Sequence, residues 1–187
     1  MKEKLLIGVT GMSGSGKATV KQIAETMGYS TVVMGDEVRE EAKRRNLEPT
    51  PENLGRIMLE LREEEGAVAI AKRCIPKIEN AKNNIVIVDG VRSLQEIEEF
   101  KEHSKDFILI AVHASPNTRF QRLFHRIRSD APRSWQTFIE RDLRELNVGL
   151  GAVIAIADYM IVNEGTREQV RRKAQEVLED ITRKWMK

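Results

Sequence analysis

The sequence predicts an α/β fold, a five-stranded parallel sheet with helices on both faces. Three observations carry that prediction. Short apolar runs rich in β-branched residues recur at Leu5–Thr10, Thr31–Met34, Ile85–Val88, Phe107–Val112 and Tyr159–Val162, each of a length that suits a buried strand. Between them the apolar period becomes that of a helix, and strands alternating with helices pair in parallel through right-handed crossovers. The first run ends at a glycine-rich loop that leads straight into a helical pattern.

Taken in chain order, the first helix places Val20, Ile23, Ala24 and Met27 on one stripe and stops at Gly28, a natural C-terminal residue. The second and third strand runs lie about fifty residues apart, more than a single crossover helix uses. The stretch from about residue 35 to 82 therefore reads as an inserted cluster of two or three helices, broken near Glu48-Pro49-Thr50-Pro51 and near Gly66. Helix starts are marked by Thr50-Pro51, by Ser93-Leu94-Gln95-Glu96, by Ser115-Pro116 and by Thr166-Arg167-Glu168-Gln169, where a hydroxyl can cap free backbone N–H groups. The last helix carries Val170, Ala174, Val177, Leu178, Ile181 and Trp185 on one face. Arg128-Ser129-Asp130-Ala131-Pro132-Arg133 interrupts two helical stretches and reads as a short lid, about 126–134.

Composition narrows the function. The 187 residues are 41% hydrophobic and 32% charged, which suits one globular domain spanning the chain. Lys and Arg number 31 against 29 Asp and Glu, a near balance that argues against a nucleic-acid or membrane coat. Cys74 has no partner for a disulfide, and no His/Cys cluster has zinc spacing; with no signal peptide or membrane span in the pattern, the expected place is the cytoplasm. The expected state is a monomer or small homo-oligomer.

The loop Gly11-Met12-Ser13-Gly14-Ser15-Gly16-Lys17 fits G-x-x-x-x-G-K, and it stands between a strand and a helix as that motif requires. Its glycines let successive N–H groups face an anion, the helix N-terminus adds a favourable dipole, and Lys17 can reach outer phosphates. Ala18 follows where the common pattern has a magnesium-binding hydroxyl, and Thr19 comes one place later. Asp89 ends the apolar run Ile85–Val88 at the sheet edge where open α/β sheets bind ligands. Thr19 and Asp89 are thus the candidates on the metal side, acting on Mg2+ through water.

At these residues the chain resembles the P-loop kinases of the adenylate kinase and dephospho-CoA kinase branch, whose fold is a three-layer P-loop NTPase sandwich. Gly14-Ser15-Gly16-Lys17-Ala18-Thr19 is similar to the adenylate kinase form G-S-G-K-G-T, which also lacks a hydroxyl right after lysine. Gly35-Asp36-Glu37-Val38-Arg39 looks like the segment with which those kinases hold AMP, and Asp89-Gly90-Val91-Arg92 resembles their D-G-F-P-R without its proline. The resemblance implies that ATP and Mg2+ are used and that Gly11 to Thr19 bind the donor. It also implies that Gly35, Asp36, Arg39, Gly90 and Arg92 form an acceptor site, with Asp36 orienting the acceptor or taking its proton. Ala157-Asp158-Tyr159-Met160-Ile161-Val162-Asn163-Glu164-Gly165 resembles a dephospho-CoA kinase strand and turn, which would set Asn163 and Gly165 beside adenine. Overall the likeness is greatest to an archaeal family of adenylate-kinase-related proteins.

Arginines crowd the stretch from Arg119 to Arg144. In the resembled kinases lid arginines clamp the moving phosphoryl group, which implies catalytic roles for Arg126, Arg128 and Arg141. The plain alternative is a solvated helix face, with Glu140, Asp142 and Glu145 at pairing distance from Arg141 and Arg144. A basic RNA surface is disfavoured by the few exposed-looking aromatics here for stacking bases and by the near-neutral charge of the chain. His103, His113 and His125 sit on separate elements without a nucleophile, and Cys74 reads as a packed side chain. The expected function is ATP-dependent phosphotransfer to a nucleotide-like acceptor, with AMP first. Dephospho-CoA kinase and an ATP/AMP-binding regulator or slow ATPase are the alternatives.

Overall fold

The computed structural model describes residues 4–125 and 132–187. Its elements run β1 (Leu5–Thr10), α1 (Lys17–Thr26), β2 (Ser30–Val33), α2 (Met34–Arg44), α3 (Pro51–Glu65), α4 (Ala69–Glu79), β3 (Ile85–Asp89) and α5 (Leu94–His103). They continue with β4 (Asp106–His113), α6 (Pro116–Phe124), α7 (Trp135–Val148), α8 (Leu150–Ala155), β5 (Tyr159–Val162) and α9 (Arg167–Trp185). All five strands are parallel, in the order β2-β3-β1-β4-β5. The predicted fold class is the observed one.

Because β1 is central and flanked on both sides, it is fully buried, and alternate residues feed two cores. Leu5, Ile7 and Val9 pack with α1 and α9 through Val20, Ile23, Ala24, Val170 and Leu178. Leu6 points the other way and joins Val86, Val88 and Leu109 under Ile57, Leu61, Ile70, Cys74 and Phe100. The period of two in the strands thus sorts the chain into layers.

The inserted stretch forms three helices, α2 to α4. Thr50 caps α3 by accepting from the Asn53 N–H at 3.2 Å, with Pro51 in the first turn. Charge ties the helices to each other. The Glu41 carboxylate, 3% exposed, accepts from Arg44, Arg45 and Arg73 at 2.5, 2.6 and 3.0 Å, joining α2 to α4. Arg62 on α3 donates to the buried Glu96 at 2.6 Å, and Glu96 also closes the capping box of α5 with Ser93. The insertion is therefore latched to the loop after β3.

Three strands differ at their ends from the sequence prediction, with β3 running on to Asp89 and β4 spanning Asp106–His113. The second strand is Ser30–Val33, and Met34 begins α2 with its side chain fully buried, since the chain passes from strand to helix with no connecting loop. A short helix, α8, follows Gly149, whose φ of 114° ends α7. Among the described residues no helix is long and apolar enough to cross a membrane.

Candidate functional site

The sheet order sets the site. The loop after β1 lies between the segment after β3 and the ends of β4 and β5, so residues 11–17, 89–92 and 163 converge at one edge. Three backbone conformations demand glycine in that loop, Gly14 with φ of 82° being one of them. Gly11 has φ of 138°, and a Cβ there would lie 2.2 Å from the Val112 carbonyl oxygen; Gly16 has φ of 103°, and a Cβ there would lie 2.1 Å from the Asn163 amide nitrogen. Helix α1, like α4 and α8, begins with no side-chain cap and no acid in its first turn, whereas α3, α5, α6, α7 and α9 are each capped by a hydroxyl. Its first N–H groups are left for an anion.

Lys17 folds back over the loop, donating to the carbonyls of Gly11 at 2.5 Å and Met12 at 3.2 Å. Burial lowers the basicity of its ammonium group, Asp89 and Glu145 oppose that by attraction, and Arg92 and Arg141 add to it by repulsion. Thr19 is the third residue of α1 and donates its N–H to the Gly16 carbonyl at 2.9 Å; Ala18 is exposed. Inside the loop, the Ser15 hydroxyl is buried without a partner, as is one carboxylate oxygen of Asp89 at the end of β3. Hard oxygen donors with unspent valence suit magnesium. Among the described residues no three His, Cys, Asp or Glu side chains form a metal cage.

The acceptor-side candidates divide. Thr10 donates to the Val91 carbonyl at 2.7 Å and Gly90 to that of Val9 at 2.9 Å, which fixes residues 90–92 against β1. Arg92 donates to the Gly90 carbonyl at 2.8 Å and lies among Glu145, Glu96 and Asp89, whose attraction raises its basicity against the effect of burial. Asp36 and Arg39 stand farther out, exposed in the first turns of α2 beside Gly35 and paired to each other at 2.7 Å. Asp36 also borders a groove of about 470 Å³ along the free edge of β2, with Glu37, Glu40 and Lys77.

At the far side, Asn163 and Gly165 follow β5. The Asn163 amide donates to the Ser15 carbonyl at 2.8 Å and its oxygen accepts from Arg122 at 3.1 Å, so its side chain braces the phosphate loop from behind. Gly165 lies exposed in the turn before α9. Arg126, Arg128 and most of the expected lid lie outside the described residues.

The sequence reading missed the inner face of α7. Its plain alternative, a solvated face, does not hold for two of the three acids: Asp142 and Glu145 are buried beside Phe138. Asp142 takes both ends of the buried Arg119 guanidinium at 2.9 and 2.6 Å, and Arg119 also donates to the Ser13 carbonyl at 3.2 Å. Glu145 accepts from the Ser13 hydroxyl at 2.8 Å, with Arg92 at 3.6 Å and Arg141 at 3.8 Å. Burial would raise its pKa, but Arg92, Lys17 and Arg141 together hold the carboxyl below its ordinary value. The available signal was the i, i+4, i+7 stripe of Phe138, Asp142 and Glu145, which an apolar residue turns toward the core. Phe120, Phe124, Trp135 and Phe138 form one ring cluster between α6 and α7.

Comparison with known proteins places this geometry in a setting. The AAA domain family matches residues 10–138. A UPF0200 protein of Hyperthermus butylicus is 50% identical over 179 residues, covering 96% of each chain. Among solved structures, shikimate kinase from Acinetobacter baumannii in complex with shikimate superposes with a TM-score of 0.60 at 18% identity, over 98% of this chain and 96% of that one. A gluconokinase from Sinorhizobium meliloti gives 0.60 at 18% identity over 100% and 98%. At that identity the likeness is one of fold, that of a P-loop kinase.

Proposed function

This chain belongs to the UPF0200 family, and from its P-loop kinase fold and phosphate cradle we infer that it is an ATP-dependent phosphotransferase acting on a nucleotide-like acceptor, AMP first. The observation that carries the reading is the cradle itself: G-x-x-x-x-G-K wrapped before an uncapped helix, with Lys17 over the loop.

In this reading the backbone N–H groups of Gly14, Gly16, Lys17 and Ala18 take the donor phosphates, and the Lys17 ammonium group leaves the Gly11 and Met12 carbonyls for the outer phosphates. Charge spreads over the moving phosphoryl group during transfer, so fixed cations placed there lower the barrier. Lys17, Arg92 and Arg141 are those cations among the described residues, and Arg126 and Arg128 of the lid would add to them. Magnesium held at Asp89, and at Thr19 through water, would neutralise phosphate charge. Asp36 and Arg39 open their mutual pair to orient the acceptor, with Gly35 and Gly90 leaving room beside them. Asn163 and Gly165 border the donor base.

The single test is Lys17→Ala. Transfer from ATP should fall by about a hundredfold or more, the range seen when a positioned charge stabiliser is removed, while the circular dichroism spectrum stays unchanged. A variant that transfers near the wild-type rate contradicts the reading. A second reading, ATP hydrolysis without an acceptor, draws support from Asp36 and Arg39 being exposed and already paired to each other; phosphate release indifferent to AMP or dephospho-CoA would favour it.

A further inference from the structure

Glu145 has no task in the transfer outlined above, yet it is only 7% exposed and sits where the cations of the phosphate site meet. Its carboxylate is held by the Ser13 hydroxyl of the loop and faced by Arg92 from the segment after β3 and by Arg141 from its own helix. Lys17 lies within electrostatic reach. A second tie, from Asp142 through Arg119 to the Ser13 carbonyl, runs parallel to the first one helical turn away. The phosphate loop is thus fastened to α7 at two points, at one of which a carboxylate meets the loop directly.

We propose that Glu145 is a built-in counter-anion of the phosphate site: in the free protein its carboxylate occupies the place on Ser13, Arg92 and Arg141 that the outer phosphate of a bound polyphosphate takes. The proposal rests on the reading of Gly11 to Lys17 as a nucleotide phosphate site and assigns this carboxylate to it. Two anions a few ångströms apart in a partly buried site repel strongly, so the carboxylate must swing away when the phosphate arrives. The Asp142–Arg119 tie stays as the pivot. Glu145 keeps the cluster of Lys17, Arg92 and Arg141 from repelling itself while no ligand is present, and it weakens outer phosphates selectively. Inner phosphates lie within the loop N–H groups and do not meet it.

The experiment is calorimetric titration of wild-type protein, Glu145→Gln and Ser13→Ala with ATP and with ADP in EDTA. Glu145→Gln keeps the shape and removes the charge; it should bind ATP about tenfold more tightly than wild type, with ADP changed by less than about twofold. Ser13→Ala leaves the charge and cuts the tie, and about threefold tighter ATP binding is expected, so the outcome is decided even if Glu145→Gln fails to fold. ATP affinity that is unchanged or weaker in both variants overturns the proposal, as does equal tightening of ADP. Repeating the titration with magnesium separates one further outcome: a loss confined to magnesium-ATP would make Glu145 a metal-side group and also overturn it. Lys17→Ala guards the underlying reading. If wild type binds neither nucleotide, or Lys17→Ala binds ATP as well as wild type, the nucleotide site itself is wrong and the proposal falls with it; if those controls hold and Glu145→Gln gains nothing, the counter-anion alone is wrong.

Discussion

Asp142→Ala would leave the Arg119 guanidinium buried without its carboxylate, and its cost can be worked from the contacts. Arg119 is 4% exposed and bonded to Asp142 at both ends, at 2.9 and 2.6 Å. Breaking one partner of such a pair costs about 3–5 kcal/mol. Arg119 keeps its bonds to the Ala114 and Ser13 carbonyls at 3.2 Å each and its place over the Phe138 ring at 4.9 Å, which favours the lower end, about 3 kcal/mol. For a chain of this size each kcal/mol lowers Tm by about 2–4 °C, so the midpoint should drop by roughly 6–12 °C. Urea unfolding followed by circular dichroism measures the loss, and Arg119→Met/Asp142→Leu, which removes both charges, should recover at least half of it. A loss under about 1 kcal/mol, the range of an exposed pair, would refute the claim that this contact fastens the phosphate loop to α7.

Gly16→Ala should abolish phosphate binding and destabilise the fold by about 1–3 kcal/mol, because the new methyl group meets the Asn163 amide at 2.1 Å with φ at 103°; calorimetry with ATP and a melting curve check it. The Glu41 carboxyl is pulled down to about 2: burial opposes the shift, and the bonds from Arg45, Arg73 and Arg44 outweigh it. The sign follows directly, since the stabilisation is complete above the usual carboxylate range near 4.5 and is lost as the pH falls toward 2. Glu41→Gln should therefore be less stable than wild type at pH 6, with the difference closing toward pH 2.5 in urea titrations. The Cys74 thiol is fully buried and pushed up to about 12 by that burial, so a thiol reagent at pH 8 should label it only at the rate of unfolding.

What the sequence made legible was whatever rests on local chemistry. The strand runs, the Thr50, Ser93, Ser115 and Thr166 caps, and the apolar face of α9 are each decided within a few residues, and each stands in the structure. The phosphate loop was legible for the same reason, since its glycines answer to backbone angles within one turn. Glu145 and Asp142 were not, because their partners Ser13 and Arg119 lie 132 and 23 residues away, and on the helix itself they look like ordinary partners for Arg141 and Arg144. Arg144 in fact points toward α3, where a Cβ added to Gly55 would come within 3.5 Å of its guanidinium. Asn163 shows the same limit: its amide is bonded to the loop backbone, a contact set by the spatial order of β1, β4 and β5 that its local motif does not carry.

The central claim, phosphotransfer from ATP, is tested most directly by following labelled γ-phosphate with magnesium in separate reactions offering AMP, other nucleoside monophosphates, dephospho-CoA or no acceptor, with Lys17→Ala beside each. The account predicts a labelled acceptor product, a diphosphate with AMP first, formed by wild type and lost in Lys17→Ala. Labelled inorganic phosphate alone in every reaction, at a rate indifferent to the acceptor, would contradict it.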